Sequence, residues 1–241
     1  MANLRRMMIL LFAALVTAVS PSPVAAYEAV AVPEGGTITG KVVFRGTVPM
    51  KKIIPTKDRE VCGSIREEPE VVLGADKGVQ DALVYLKKLE RGKAWEKLAK
   101  TPEIVSKDCK FVPRVQALPV GSIAMVNLDP VLHNTHGLLG KATLFNQALP
   151  MQGQRVEKPL NKEGLMRVEC DAHGWMLAWI YVAGNPYYSV TQKDGTFSIS
   201  EVPPGSYTLV AWQKYTGEIE VPVTVTPKGS VQVAIELKKK G

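Results

Sequence analysis

The segment Cys170-Asp171-Ala172-His173-Gly174-Trp175-Met176 sets a thiol, an imidazole and a thioether at even spacing, with two residues between each, between two runs that read as strands. A metal that cycles between two states one electron apart needs ligands acceptable to both. Thiolate and thioether suit Cu(I), imidazole suits Cu(II), and two imidazoles with a thiolate and a weak axial Met form the electron-transfer arrangement. A loop joining adjacent strands can turn Cys170, His173 and Met176 toward one point. The second imidazole must come from another strand.

Leu132-His133-Asn134-Thr135-His136 offers two candidates. Positions three apart in an extended strand face opposite sides, so one imidazole points at the metal and the other away. His133 is the expected ligand, because Asn134 beside it can bond across to the Cys170 loop. Asn134 and Asp171 are the residues expected to hold the ligands in orientation from behind, and His136 is expected at the surface or behind the ligands. The same donors would also accept zinc, but the affinity order places copper above it. Met151 is expected to pack. Trp175 is expected to pack, to shield the metal or to form part of a docking face.

Three cysteines, Cys62, Cys109 and Cys170, leave one over after any disulfide. Either Cys62 pairs with Cys109 and Cys170 is reserved, or Cys170 is an ordinary structural thiol. The residues around Cys170 favour the first reading. Arg5 and Arg6 precede an apolar run from Met7 to Val19, and Val24-Ala25-Ala26 offers small residues for cleavage. That is the layout of a secretory signal over residues 1–26. The run is shorter than the roughly 20 residues that span a bilayer. Membrane contact is therefore expected only through an uncleaved signal, and the mature chain is expected to be periplasmic or secreted. The formal charge of +7 is spread along the chain, without the dense basic stripe that nucleic-acid binding needs.

Apart from a short helix expected near Ala94 to Ala99, the apolar segments read as strands, and the fold class is all-β. Thr37 to Phe44, Ala82 to Leu86, Ile123 to Asn127, Leu165 to Cys170 and Met176 to Val182 are β-branched or apolar runs bounded by Gly, Pro or Asp. A boundary is expected at Gly184-Asn185-Pro186. After it come five more regularly spaced runs with turn signals between them, including the hairpin signal Asp194-Gly195.

The Cys-x-x-His-x-x-Met loop with an upstream His-Asn resembles the cupredoxins, in their amicyanin- and plastocyanin-like branch. Asp194-Gly195-Thr196-Phe197 and Val202-Pro203-Pro204-Gly205-Ser206-Tyr207 resemble the carboxypeptidase-regulatory-like (transthyretin-like) β-sandwich domain. The pair is similar to a group of exported bacterial proteins with the two modules in that order. The resemblance implies a Greek-key cupredoxin sandwich over residues 27–186, eight-stranded and enlarged by an insertion around 50–120. A small C-terminal β-sandwich would then occupy residues 187–241. It implies one type-1 copper ion held by His133, Cys170 and His173 with Met176 axial. The electron exit would be at the solvent-side edge of His173, ringed by Trp175 and Gly137-Leu138-Leu139. Partners would be redox proteins such as a c-type cytochrome or a dehydrogenase.

Copper oxidases and copper nitrite reductases also contain such domains, but their catalytic centres need several further imidazoles. The whole chain has His133, His136 and His173 alone. An electron carrier rather than an enzyme is expected, with copper storage, delivery or a scaffold role as the alternative.

Overall fold

Alternating burial marks the strands from the outset. Gly36–Phe44 is buried at every other residue along all nine, as a strand with one face on a core requires. The coordinates are a computed structural model that describes residues 27–239, so the expected signal over residues 1–26 lies outside the described residues.

Two sheets enclose the first core. One runs, in spatial order, Arg155–Leu160, Gly121–Asn127, Glu103–Lys107, Lys110–Val112. The other runs Ala142–Leu149, His133–Leu139, Gly164–Glu169, Leu177–Ala183, Val115–Pro119. Ile104, Phe111, Ile123, Met125 and Leu160 from the first meet Leu149, Met166, Val168, Ala178, Ile180 and Val182 from the second. The sandwich therefore has nine strands, one more than the resemblance implies. Most pairings are antiparallel; Gly121–Asn127 with Glu103–Lys107 and Leu177–Ala183 with Val115–Pro119 are parallel.

The second sandwich overturns the expected boundary. Its four-stranded sheet is Tyr188–Val190, Leu83–Leu86, Gly205–Gln213, Gly217–Val225, and its three-stranded sheet is Thr196–Val202, Gly36–Phe44, Ser230–Leu237. Two strands thus come from the N-terminal part of the chain, which residues 187–241 alone do not contain. The physical reason is burial. Ile38, Val42, Val84 and Leu86 are needed to complete a core with Phe197, Leu209, Val225 and Ile235. At Gly40 a Cβ would collide with the Val233 carbonyl and the Phe197 ring, so the central strand needs glycine there. The Asp194-Gly195 signal also acts differently from a simple hairpin. The turn closes through Gln192 and Thr196, but its two flanking strands enter opposite sheets.

The expected insertion contracts for the same reason, since residues 103–119 supply strands of the first sandwich. Outside both lie the hairpin Met50–Ile53 with Arg66–Pro69, carrying the short helix Arg59–Cys62, and the short parallel pair Glu28–Ala29 with Arg91–Gly92. Residues 94–99 form no helix. Six residues are too few to nucleate one unaided, and Trp95 is drawn into ring contacts with Tyr27 and Tyr188. Leu83 and Trp212 join Val115 and Trp179 in a shared cluster, which packs the two sandwiches together.

Candidate metal centre

His133 opens its strand, which pairs with the strand leading into Cys170 in a register that sets His136 opposite Glu169. That register carries His133 beyond the last pair, to face the loop that follows. The loop is tightened by two backbone bonds, His173 N–H to the Cys170 carbonyl and Met176 N–H to the His173 carbonyl. Its side chains consequently turn inward. Cys170, His173 and Met176 are buried, as is His133.

Three donor atoms converge. His133 Nδ1 and His173 Nδ1 lie 3.0 Å apart, and each is 3.7 Å from Cys170 Sγ. The far nitrogen of each ring meets a carboxylate. His133 Nε2 is 2.8 Å from Asp129 Oδ2, and His173 Nε2 is 2.8 Å from Asp58 Oδ2. Asp129 is itself anchored by the backbone N–H groups of Asp108 and Cys109. Where each Nε2–H donates to its carboxylate, both Nδ1 lone pairs point at one place beside a sulfur. Two lone pairs facing each other at that distance repel, and a cation between them relieves the repulsion. The donor set of two imidazoles and one thiol fits copper by its chemistry.

Electrostatics in the metal-free site favour neutral groups. Burial holds His133 below the usual imidazole range, opposed by its bond to Asp129. Burial pushes the Cys170 thiol up, opposed by the backbone N–H groups of Asn134, His173 and Ala172. Met176 is buried in the same apolar cluster as Cys170.

Asn134 joins the strand to the loop. Its backbone N–H is 3.5 Å from Cys170 Sγ, its Oδ1 accepts from the N–H groups of Asp171 and Ala172, and its Nδ2 donates to Asp171 Oδ2 and Asn146 Oδ1. His136 sits outside the donor triangle. Its Nδ1 is 3.0 Å from Asp171 Oδ1 and its Nε2 is 2.9 Å from Thr143 Oγ1. The His136 bond, with those from Asn146 and Asn134, holds the Asp171 carboxyl below the usual range against modest burial.

The surroundings of His173 differ from the implied exposed edge. The ring is fully buried, covered by Asp58 and by the Cys62–Cys109 disulfide, which closes a separation of 47 residues. Both disulfide sulfurs lie within 4.8 Å of a His173 nitrogen. The hairpin carrying Asp58 and Cys62 is what moves the edge away from solvent. Trp175 packs edge-on to His173 at 5.1 Å between ring centroids, but Gly137 to Leu139 lies roughly 13–20 Å further down the strand from His133. Met151 is 64 % exposed and does not pack. Asp58 and Asp129 escaped the sequence reading: Asp58 is 115 residues from His173, and a lone carboxylate carries no spacing signal.

A family model described as polysaccharide lyase family 4, domain II, matches residues 168–233. No curated protein matches the chain. Solved structures similar to part of it include a purple cupredoxin from Nitrosopumilus maritimus, at 24% identity over 34% of this chain and 99% of that one, TM-score 0.31. Amicyanin from Paracoccus versutus is similar at 16% identity over 36% of this chain and 86% of that one, TM-score 0.32. A copper-containing nitrite reductase from Thermus scotoductus is similar at 23% identity over 41% of this chain and 25% of that one, TM-score 0.32.

Proposed function

We propose that the chain is an exported type-1 copper protein that passes single electrons between redox proteins such as a c-type cytochrome or a dehydrogenase, and is not itself an enzyme. The observation that carries this reading is the convergence of His133 Nδ1, Cys170 Sγ and His173 Nδ1 at one buried point, with a carboxylate behind each imidazole. His133, Cys170 and His173 would hold the metal, with Met176, buried in the same cluster as Cys170, as the thioether that would complete the set. A copper ion there would supply a one-electron couple.

The remaining work belongs to the protein. Asp129 and Asp58 fix each imidazole by its Nε2 side. Asn134 ties Cys170 to the His133 strand, which would limit rearrangement of the donors when a bound metal changes oxidation state. Burial excludes water. With the His173 edge covered, half-buried Trp175 takes its place as the exit toward a partner. The second sandwich, read as a carboxypeptidase-regulatory-like module, serves as a rigid mount. A storage or delivery role is less well supported, because ready release needs accessible donors and all three are buried.

Titration of the purified metal-free protein with Cu(II), followed by visible absorption and reductive titration, tests the reading. An intense visible thiolate–Cu(II) band that bleaches reversibly on one-electron reduction is expected, as is its loss in Cys170→Ser. A colourless, redox-silent complex would sink it.

A further inference from the structure

A cavity of about 520 Å³ opens beside the metal centre, within the roughly 300–1,000 Å³ of small-molecule sites. It lies where three parts meet: the hairpin of residues 50–69, the strand Lys110–Val112 with Trp175, Met176 and the first residue of the strand Leu177–Ala183, and Lys214 of the second sandwich. Junctions of this kind are where ligand sites concentrate.

Its charges do not cancel. Five cationic side chains line it, Lys51, Arg66, Lys110, Arg114 and Lys214, against Glu68, Glu70 and Asp81. Glu68 is taken by Arg66 and Lys110 together, at 2.8 and 2.9 Å, and Glu70 by Lys214 at 2.8 Å. Among the described residues Lys51 and Arg114 have no carboxylate in salt-bridge contact. Burial pushes the Asp81 carboxyl up, against the pull of Arg114 and a hydrogen bond from Gln80. Apart from Gln80, the rest of the wall is made by apolar residues, among them Val112, Pro113, Trp175 and Leu177. Val112 is 50 % exposed.

We propose that this cavity binds a small organic anion, a carboxylate on an aromatic or other apolar body. The carboxylate would meet Arg114 and Lys51, and the body would lie on Val112, Pro113 and Trp175. A guanidinium offers a planar fork that matches a carboxylate, and a flat apolar body covers wall that water solvates poorly. Inorganic anions would leave that wall wet; neutral aromatics would leave the two cations unanswered. The same Trp175 packs on His173, so the occupant would sit one side chain away from the metal centre. The binding itself does not depend on the copper reading.

The test uses the full metal-free protein, so its failure is separate from failure of the copper reading. Benzoate is titrated while the indole N–H resonance of Trp175 is followed by nitrogen-correlated NMR, assigned through its disappearance in Trp175→Phe. In the structure that N–H donates to the Cys109 carbonyl, a bond an occupant would perturb. A saturable shift is expected. Arg114→Gln and Lys51→Gln should each weaken benzoate about tenfold, the usual loss of a hydrogen bond to a charged group. Arg114→Lys should recover part of it. No saturable shift overturns the proposal, and so does a shift unchanged in both glutamine variants. Equal saturation by inorganic phosphate would reduce the site to a charge patch, and equal saturation by benzyl alcohol to an apolar hollow; either result also overturns it.

Discussion

An imidazole in water exchanges its proton between two nitrogens, and only one tautomer leaves Nδ1 free to bind a metal. Asp129 and Asp58 select that tautomer for His133 and His173, by accepting at Nε2 from opposite sides of the site. Such outer partners typically contribute 10- to 100-fold in metal affinity. Asp129→Ala and Asp58→Ala are each expected to weaken copper binding by about that factor, measured by competition with a chelator of known affinity. The two variants should differ in a second respect. Asp129 is buried and holds the Cys109 turn, so its loss should also lower stability, whereas Asp58 is partly exposed and its loss should chiefly uncover His173. The four candidate ligands were legible because their types are rare and three of them are tightly spaced in one loop. The carboxylates behind them were not, because acidic residues are common and these reach the site only through the fold.

Strands were the easiest elements to read, since β-branched runs between Gly, Pro and Asp leave little choice, and nearly all of those expected are present. Their partners were harder. Pairing is decided by which hydrophobic faces complete a core, and Leu83–Leu86 as written fits either sandwich. The hairpin over the candidate metal site is tied to the first sandwich by its cross-link. Loop-closure entropy for the 47-residue separation of Cys62 and Cys109 amounts to about 4 kcal/mol. The double variant Cys62→Ser/Cys109→Ser should lose up to about that much stability in denaturant unfolding, and should gain solvent access at His173, read from imidazole resonances. Acid acts on the same hairpin. Burial would raise the Glu68 carboxyl, but hydrogen bonds from Arg66 and Lys110 outweigh it and hold the group below its ordinary value. A depressed carboxylate stabilises the fold above its unfolded pKa, and that contribution is lost as pH falls through the lower folded value. Stability of Glu68→Gln should therefore decline less steeply than that of the unaltered protein below about pH 4.5, in denaturant midpoints of the metal-free forms.

The whole molecule is two sandwiches sharing an aromatic seam, where Trp179 lies 5.7 Å from Trp212 and Tyr85 lies 4.6 Å from Tyr181. Cutting the chain at the sequence boundary does not separate them. A chain ending at Pro186 would keep Gly36–Phe44 and Leu83–Leu86 but lose every strand they pair with except each other's core face. It would also uncover Trp179. Such a chain is expected to aggregate or to bind a hydrophobic dye strongly, and size-exclusion chromatography would show it. A compact, monomeric, copper-binding product would show that the first sandwich stands alone.

The parallel pairing of Gly36–Phe44 with Ser230–Leu237 sets Thr37 beside Ser230, a separation of 230 − 37 = 193 residues. Contacts so distant in sequence make folding slow, because the entropy of closing the chain is lost before the sheet returns anything. A polypeptide that emerges N-terminus first shows Gly36–Phe44 long before either neighbour exists. For that interval it is an open, half-apolar edge, the kind that holdase chaperones recognise and that stray strands pair with. The second sandwich can close only after the final strand has been made, so the end of the chain decides when its beginning is safe.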